Sequence, residues 1–373
     1  MKASTLAHYE RMVRPLLTVL HPRRVVNIYS SGRLKFLERL KEEKSYEVYN
    51  PPESKAKTLW GIHFRSPIMN AAGMFKNGEC YELMVRQGVG AYLGGTGTWN
   101  SRPGNEKEGI KLPFVPYPRS HSSSNFLGLP NDGDEINAER AAKLGRIFGA
   151  PIGWSVMGSP DLQGEEKLEY LVRGMKRYEY ADVDFLEINE SCPNTAHGKP
   201  QDNDLKNRLQ YLKEHFLDQR TISDTDKIRQ IPVIVKFSND TERNQIPFLL
   251  DILFELRYDG VNFGNTSTQY QKRRKNIHPS EQKLYDHFTQ IFGGGVSGKP
   301  LKESSLELAG TAVEYLKKGS PSQEFHVIRT GGIESKRDLE DSERAGISLN
   351  QWFTGYFENF AKYGNNIYKQ ILS

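Results

Sequence analysis

The chain has 373 residues, 37% hydrophobic and 11% aromatic, with a formal charge of +5, enough for one large α/β domain or two smaller ones. No apolar run approaches the roughly 18–20 residues of a membrane span, and the first residues lack the apolar core and small-residue cleavage site of a secretory leader. Two cysteines, Cys80 and Cys192, exclude a disulfide framework and a cysteine-built metal cluster, so both thiols are expected free in a reducing compartment.

Residues 1–44 hold ten basic side chains against four acidic ones, which leaves the rest of the chain close to neutral. No nucleic-acid partner is expected. The first 45 residues read as helical. Tyr9, Met12, Val13, Leu16, Leu17 and Leu20 recur at three- and four-residue spacing and form one apolar stripe. His21–Pro22 ends that helix and Pro22 suits the start of a second. Ser30–Gly32 is expected to end the second, and Leu34, Phe36, Leu37 and Leu40 mark a short third. Two readings stay open: a helical lid packed on its own domain, or a basic amphipathic surface that meets anionic lipid or admits a lipophilic partner. The connector "NPPESKAKT", Asn50–Thr58, separates this segment (residues 1–50) from the main domain (residues 59–373).

Eight short apolar runs follow: "PIMNAAG" from Pro67, "VGAYLGGTG" from Val89, "PIGWSVMG" from Pro151 and "VDFLEIN" from Val183. Then come "PVIVKFS" from Pro232, "DGVNFGN" from Asp259, "FHVIRTGG" from Phe325 and "LNQWFTG" from Leu349. Most lead into a polar or Gly-rich turn and a helix-like stretch. Eight strand–helix units point to an α/β fold of the (β/α)8 TIM-barrel class with a small N-terminal helical extension, over a doubly wound sheet. The connection from Gln269 to Phe292 is long and charged, as in active-site covers and disordered loops.

In such a barrel the C-terminal ends of the strands converge on one pocket. Those ends offer Lys76, Thr96, Ser155, Asn189, Cys192, Asn194, Lys236, Asn265 and Thr266, with glycine turns at Gly331–Gly332 and Thr354–Gly355. The set holds amides, hydroxyls and two lysines, without a carboxylate pair or a metal-ligand cluster. It suits a ligand rich in imide and carboxylate groups, and a phosphate held by backbone N–H groups. A lysine on a buried strand is rarely structural, because an unpaired ammonium is costly to bury. Asn189 and Asn194 could instead cap turns, Cys192 could be core filler, and Cys80 reads as filler. "GGGVSGKP", Gly293–Pro300, nearly matches a nucleotide phosphate loop, but Pro300 stands where a magnesium-binding hydroxyl is needed.

"AAGMFKNGE", "GTGTWNSRPGN", "INESCPNT", "NTST", "GGGVSGKPL" and "TGGI" fall in the order and spacing of dihydroorotate dehydrogenases. From about Leu59 to the C-terminus the chain resembles that family. The resemblance implies a (β/α)8 barrel holding FMN and the oxidation of dihydroorotate to orotate in pyrimidine synthesis. By position, Cys192 resembles the family's general base at C5 of the substrate, where the hydride leaves C6 for flavin N5. Lys76 resembles the lysine between flavin and substrate. Asn125, Asn189, Asn194, Asn265 and Thr266 look like the orotate-binding set, whose amides both donate and accept. Ala72, Gly73, Lys76, Thr96, Ser155, Asn189, Lys236, Gly298, Gly332, Phe353 and Thr354 match flavin-contacting positions. No metal is implied.

The resemblance is a mosaic. Cys192, "GKPQ", "WSVMGS" and "NFLGLPN" look like the soluble class that passes electrons to fumarate. The helical N-terminus, the lysine of "AAGMFKNGE", "RPGN" and "NTST" look like the class that uses quinone at a membrane. Quinone is the expected acceptor, because a separate basic amphipathic segment then has a physical role, with a cytoplasmic location and peripheral contact with a membrane's inner face through residues 1–45. Fumarate with the helices as a lid is the alternative, ahead of a related FMN barrel acting on another pyrimidine and of a non-catalytic scaffold.

Overall fold

The computed structural model describes residues 1–17, 19–43, 48–190, 204–220, 222–224, 227–319 and 321–373. Eight parallel strands coincide with the eight apolar runs. They are β1 (Ile68–Asn70), β2 (Tyr92–Gly97), β3 (Ile152–Val156) and β4 (Phe185–Asn189), then β5 (Val233–Phe237), β6 (Gly260–Phe263), β7 (His326–Thr330) and β8 (Leu349–Trp352). From β2 to β8 each strand pairs with the next in sequence, and β8 returns to pair with β1. The gap between β1 and β2 is bridged by Gly90 N–H donating to Ile68 O at 2.9 Å and by Asn70, whose amide exchanges hydrogen bonds with the Leu93 backbone at 2.7 and 3.2 Å. The eight-stranded ring is thus nearly closed.

Strands covered on both faces read as continuous apolar runs, and β5 shows why: each residue of "VIVKF", the lysine included, is buried. Small residues let large ones into the barrel. A β-carbon on Gly153 would lie 2.2 Å from the Phe185 ring, so the glycine is what admits that phenyl group. The register places Asn189 beside Lys236 and Lys236 beside Asn262, a polar row across β4, β5 and β6.

The N-terminal segment differs from expectation in one respect. Helix α1 spans Ala3–Leu17, but α2 runs unbroken over Pro22–Lys41, through the Ser30–Gly32 stretch expected to end it. Val25, Val26 and Tyr29 are buried with Ile110, Val115, Tyr117 and Phe288. Ser30 Oγ donates to Val26 O at 2.7 Å and accepts from Phe114 N at 3.0 Å. That packing outweighs the roughly 1 kcal/mol that an interior glycine costs a helix. Most of the stripe on α1 faces outward, with Tyr9, Met12 and Leu16 56%, 62% and 71% exposed, while Leu17 packs against the cluster that buries α2. The buried residues of α1 are Ala3, Ala7 and Arg14. No helix of the described residues is long and apolar enough to cross a membrane.

The 269–292 connection is not an irregular loop. It folds into α3 (Tyr270–Arg274), a 3-10 turn and α4 (Gln282–Ile291). Leu284, Tyr285 and Phe288 share the cluster that buries α2; the charge-rich sequence obscured that apolar face. A small antiparallel sheet, Phe114–Tyr117, Ser122–Asn125 and Gly295–Gly298, joins it. Helices α5 (Lys302–Lys318) and α6 (Thr354–Tyr363) follow, α6 starting at the C-terminal end of β8.

Candidate active site

A cavity of about 130 Å³ opens at the C-terminal ends of the strands. Fifteen of the residues singled out from sequence line it: Ala72, Gly73, Lys76, Thr96, Asn125, Asn189, Lys236, Asn265, Thr266, Gly298, Gly331, Gly332, Phe353, Thr354 and Gly355. Ser155 stands just behind, fully buried, its Oγ 3.0 Å from Thr96 Oγ1. Cys192 and Asn194 lie outside the described residues.

Hydrogen bonds tie the strand ends into a chain. Asn189 Nδ2 donates to Thr96 Oγ1 at 3.4 Å, and Asn265 Nδ2 donates to Asn189 Oδ1 at 3.1 Å. Asn265 Oδ1 accepts the Thr266 N–H at 3.0 Å. Thr266 Oγ1 is buried at the cavity and has no partner among the described residues. A buried hydroxyl in that state calls for a ligand or a water.

Sequence reasoning missed the layer beneath. Glu187, in the middle of β4, is fully buried and accepts from Lys236 Nζ at 3.1 Å, Asn262 Nδ2 at 2.8 Å and Gln351 Nε2 at 2.6 Å. Thr330 Oγ1 lies 2.9 Å from both Asn262 Oδ1 and Gln351 Oε1. Lys236 therefore has a carboxylate partner, which is how the barrel buries its ammonium. The available signal was an acid inside an otherwise apolar run, "VDFLEIN". Ser297 was missed as well: its Oγ lies 3.0 Å from Thr354 Oγ1 at the cavity wall.

One wall is pared to backbone. A β-carbon on Gly298 (φ +90°) would lie 2.3 Å from His121 O, one on Gly332 (φ +70°) 2.5 Å from Lys302 Cα, and one on Gly355 2.0 Å from Ile333 O. Phe353 provides no side-chain cap to α6, so first-turn N–H groups remain for an anion at the cavity.

A second cavity, about 380 Å³, lies between α1, α2 and α6. Its lining is mostly apolar, including Leu6, Ala7, Leu17, Ile28, Phe36, Leu37, Phe357 and Ala361. Phe114, Phe353 and Thr354 border both cavities. Arg14 crosses its wall and pairs with Glu358 at 2.5 Å and Glu10 at 2.6 Å. Burial works against that charge, but the Glu10 hydrogen bond and both carboxylates hold the guanidinium above its ordinary value. Tyr29 donates to Glu10 Oε1 at 2.8 Å, and burial together with Glu10 pushes its phenol up. The sequence marked this segment as amphipathic but gave no sign of a cavity beneath it. Cys80 starts the helix Tyr81–Gln87, and burial pushes its thiol up to about 12, which makes it inert near neutral pH.

Residues 54–373 match the family model for dihydroorotate dehydrogenase. A curated relative from Aromatoleum aromaticum, named dihydroorotate dehydrogenase (quinone), is 30% identical over 92% of this chain and 89% of its own length. One from Baumannia cicadellinicola with the same name is 29% identical over 88% of this chain and 89% of its own. A crystal structure of ligand-free DHODH from Eimeria tenella superposes with a TM-score of 0.73 at 20% identity, covering 91% of this chain and 92% of that one.

Proposed function

The chain belongs to the dihydroorotate dehydrogenase family, and from that premise we propose that it oxidises (S)-dihydroorotate to orotate for pyrimidine synthesis and passes the electrons to a quinone. The observation that carries the acceptor is the junction of the two cavities at Phe114, Phe353 and Thr354. A chamber whose surface is mostly apolar, with Arg33 and Lys35 at its wall, suits a lipophilic ring bearing polar carbonyls better than a small, fully hydrated dianion such as fumarate.

Flavin dependence belongs to the family, and we infer FMN in particular. The crowded glycine turns at Gly298, Gly332 and Gly355, the uncapped start of α6 and the lone Thr266 hydroxyl fit a ligand with a phosphate and polar ring edges. Ala72, Gly73, Lys76, Thr96, Ser155, Asn189, Lys236, Gly298, Gly332, Phe353 and Thr354 are the residues to hold it. Bound there, the flavin would supply the two-electron acceptor for the hydride at C6 of the substrate.

The remaining chemistry falls to the chain. Asn125, Asn189, Asn194, Asn265 and Thr266 present amides and a hydroxyl that match an imide edge and a carboxylate. Lys76 adds positive charge at the same cavity. Cys192 takes the C5 proton: a thiol can ionise near neutral pH, where an aliphatic hydroxyl cannot. Substrate oxidation releases two electrons and two protons, and reduction of quinone to quinol takes up the same number. We further infer that the outward stripe of α1 and the basic residues of α1 and α2 rest on a membrane surface.

The test is anaerobic. Dihydroorotate should bleach the bound flavin, and a short-chain quinone should restore its colour where fumarate does not. Restoration by fumarate alone would overturn the acceptor, and no bleaching would overturn the substrate.

A further inference from the structure

We propose that Asp240 and Arg273 form a clamp that positions the turn Asn265–Thr268, and through it sets the affinity for the substrate. The inference rests on the dihydroorotate reading of the site. Neither residue lines the cavity, so both act through the turn that does.

The turn leaves β6 through a positive-φ residue, a position where asparagine is tolerated better than most side chains. Asn265 has φ +93°, in the region where a β-carbon is crowded. Its carbonyl is fixed from the turn that follows β5, where Asn239 Nδ2 donates to Asn265 O at 2.6 Å and to Thr330 O at 3.1 Å. The next contacts belong to Asp240. One carboxylate oxygen accepts from Ser267 Oγ at 2.5 Å, and the other accepts the Thr268 N–H at 2.6 Å. On the far side, Ser267 N–H donates to Val296 O and Val296 N–H to Ser267 O, both at 2.9 Å.

Arg273 closes the arrangement. Its side chain is 4% exposed. Nε donates to Ser267 Oγ at 2.9 Å, one terminal nitrogen lies 3.3 Å from Asp240 Oδ1, and the other lies 3.4 Å from Pro300 O. Pro300 directly follows the Gly298 turn. One guanidinium thus joins the substrate turn, the end of β5 and the glycine wall. The Gln269–Phe292 connection brings this arginine inward as a brace, where its charge had suggested a cover.

Stability alone is a poor account of the pair. A buried ion pair is often matched or bettered by apolar residues of the same volume, whereas a forked donor fixes several acceptors at defined angles. The fork matters here because small displacements of binding groups cost up to about a hundredfold.

Ser267→Ala, Asp240→Asn and Arg273→Lys in the full-length, flavin-loaded protein test the clamp. Ser267→Ala removes the shared hydroxyl without stranding a buried charge, so it stays informative if an ion-pair variant fails to fold. Two readouts are taken: amide hydrogen exchange of peptides spanning 264–269, and the orotate Kd from its perturbation of the flavin spectrum. Exchange about tenfold faster or more, with orotate about 10–100-fold weaker and flavin content kept, is the expected result. Orotate affinity within about twofold of wild type in both Ser267→Ala and Asp240→Asn would overturn the proposal, as would unchanged exchange. If orotate leaves the wild-type spectrum unperturbed, the substrate reading itself fails, and exchange still reports whether the pair holds the turn.

Discussion

Lys236 and Glu187 bury opposite charges side by side, 4% and 0% exposed. Replacing Lys236 by Met leaves Glu187 without its cation, and breaking one half of such a pair costs about 3–5 kcal/mol. Lys236→Met should therefore lower the denaturant midpoint and release flavin, and Glu187→Gln in the same chain should recover much of the stability but not the flavin. Equal loss in single and double variants would sink that account. For Cys192→Ala the expectation is retained flavin with reduction by dihydroorotate slowed about 10²–10⁴-fold, the worth of a positioned base; stopped-flow bleaching checks it. Asp134 is a third case. Burial pushes its carboxyl up to about 7, against the pull of the Tyr178 hydrogen bond and of Arg177. Between about pH 4 and 7 the unfolded chain has released this proton and the folded chain keeps it, so stability falls as pH rises through that window. Relative to Asp134→Asn, the wild type should lose a few kcal/mol of unfolding free energy between pH 5 and pH 8. A constant difference would refute the assignment. Asn189, Lys236 and Asn265 were legible because they end apolar runs. Glu187 and Gln351 were not, because a polar residue within such a run gives no hint of the three strands that satisfy it.

At the scale of elements, periodicity located all eight barrel strands, since strands covered on both faces must be apolar. It failed where packing overrode local signals. The Ser30–Gly32 stretch reads as a helix stop, yet Val25, Val26 and Tyr29 anchor one face of α2 and carry the helix through. A β-carbon on Gly32 would meet nothing within 4 Å, so Gly32→Ala should raise stability by about 0.5–1 kcal/mol. A lower melting temperature in that variant would mean the glycine serves the adjoining cavity. The Gln269–Phe292 connection misled for the opposite reason. Apart from the buried Arg273 and Glu281, its charges lie on the outer face of α3 and α4, and the apolar face becomes evident only against α2.

For the whole molecule, the attachment of α1 is the telling feature. It meets the barrel through Ala3, Ala7 and the Arg14–Glu358 ion pair, while Met12 and Leu16 point outward and Val19, just beyond the helix, is 81% exposed. An apolar patch left open beside an apolar cavity is the pattern of a surface that meets lipid or another apolar partner. Met12→Glu, Leu16→Glu and Val19→Glu combined should leave melting temperature and flavin reduction by dihydroorotate unchanged, and should abolish sedimentation with anionic vesicles. Full sedimentation of the triple variant would remove α1 from membrane contact.

Much of this protein was determined by sequence alone: the barrel, because strand-and-turn periodicity is a local property, and the pocket residues, because barrel topology sends every strand's C-terminal end to one place. Tertiary structure decided the rest. Which lysine meets which carboxylate, which turn Arg273 braces, and whether the stripe on α1 faces the barrel or the solvent all depend on contacts between residues far apart in the chain. No local pattern encodes them, because pairing energies act across strands and helices that only the closed ring brings together.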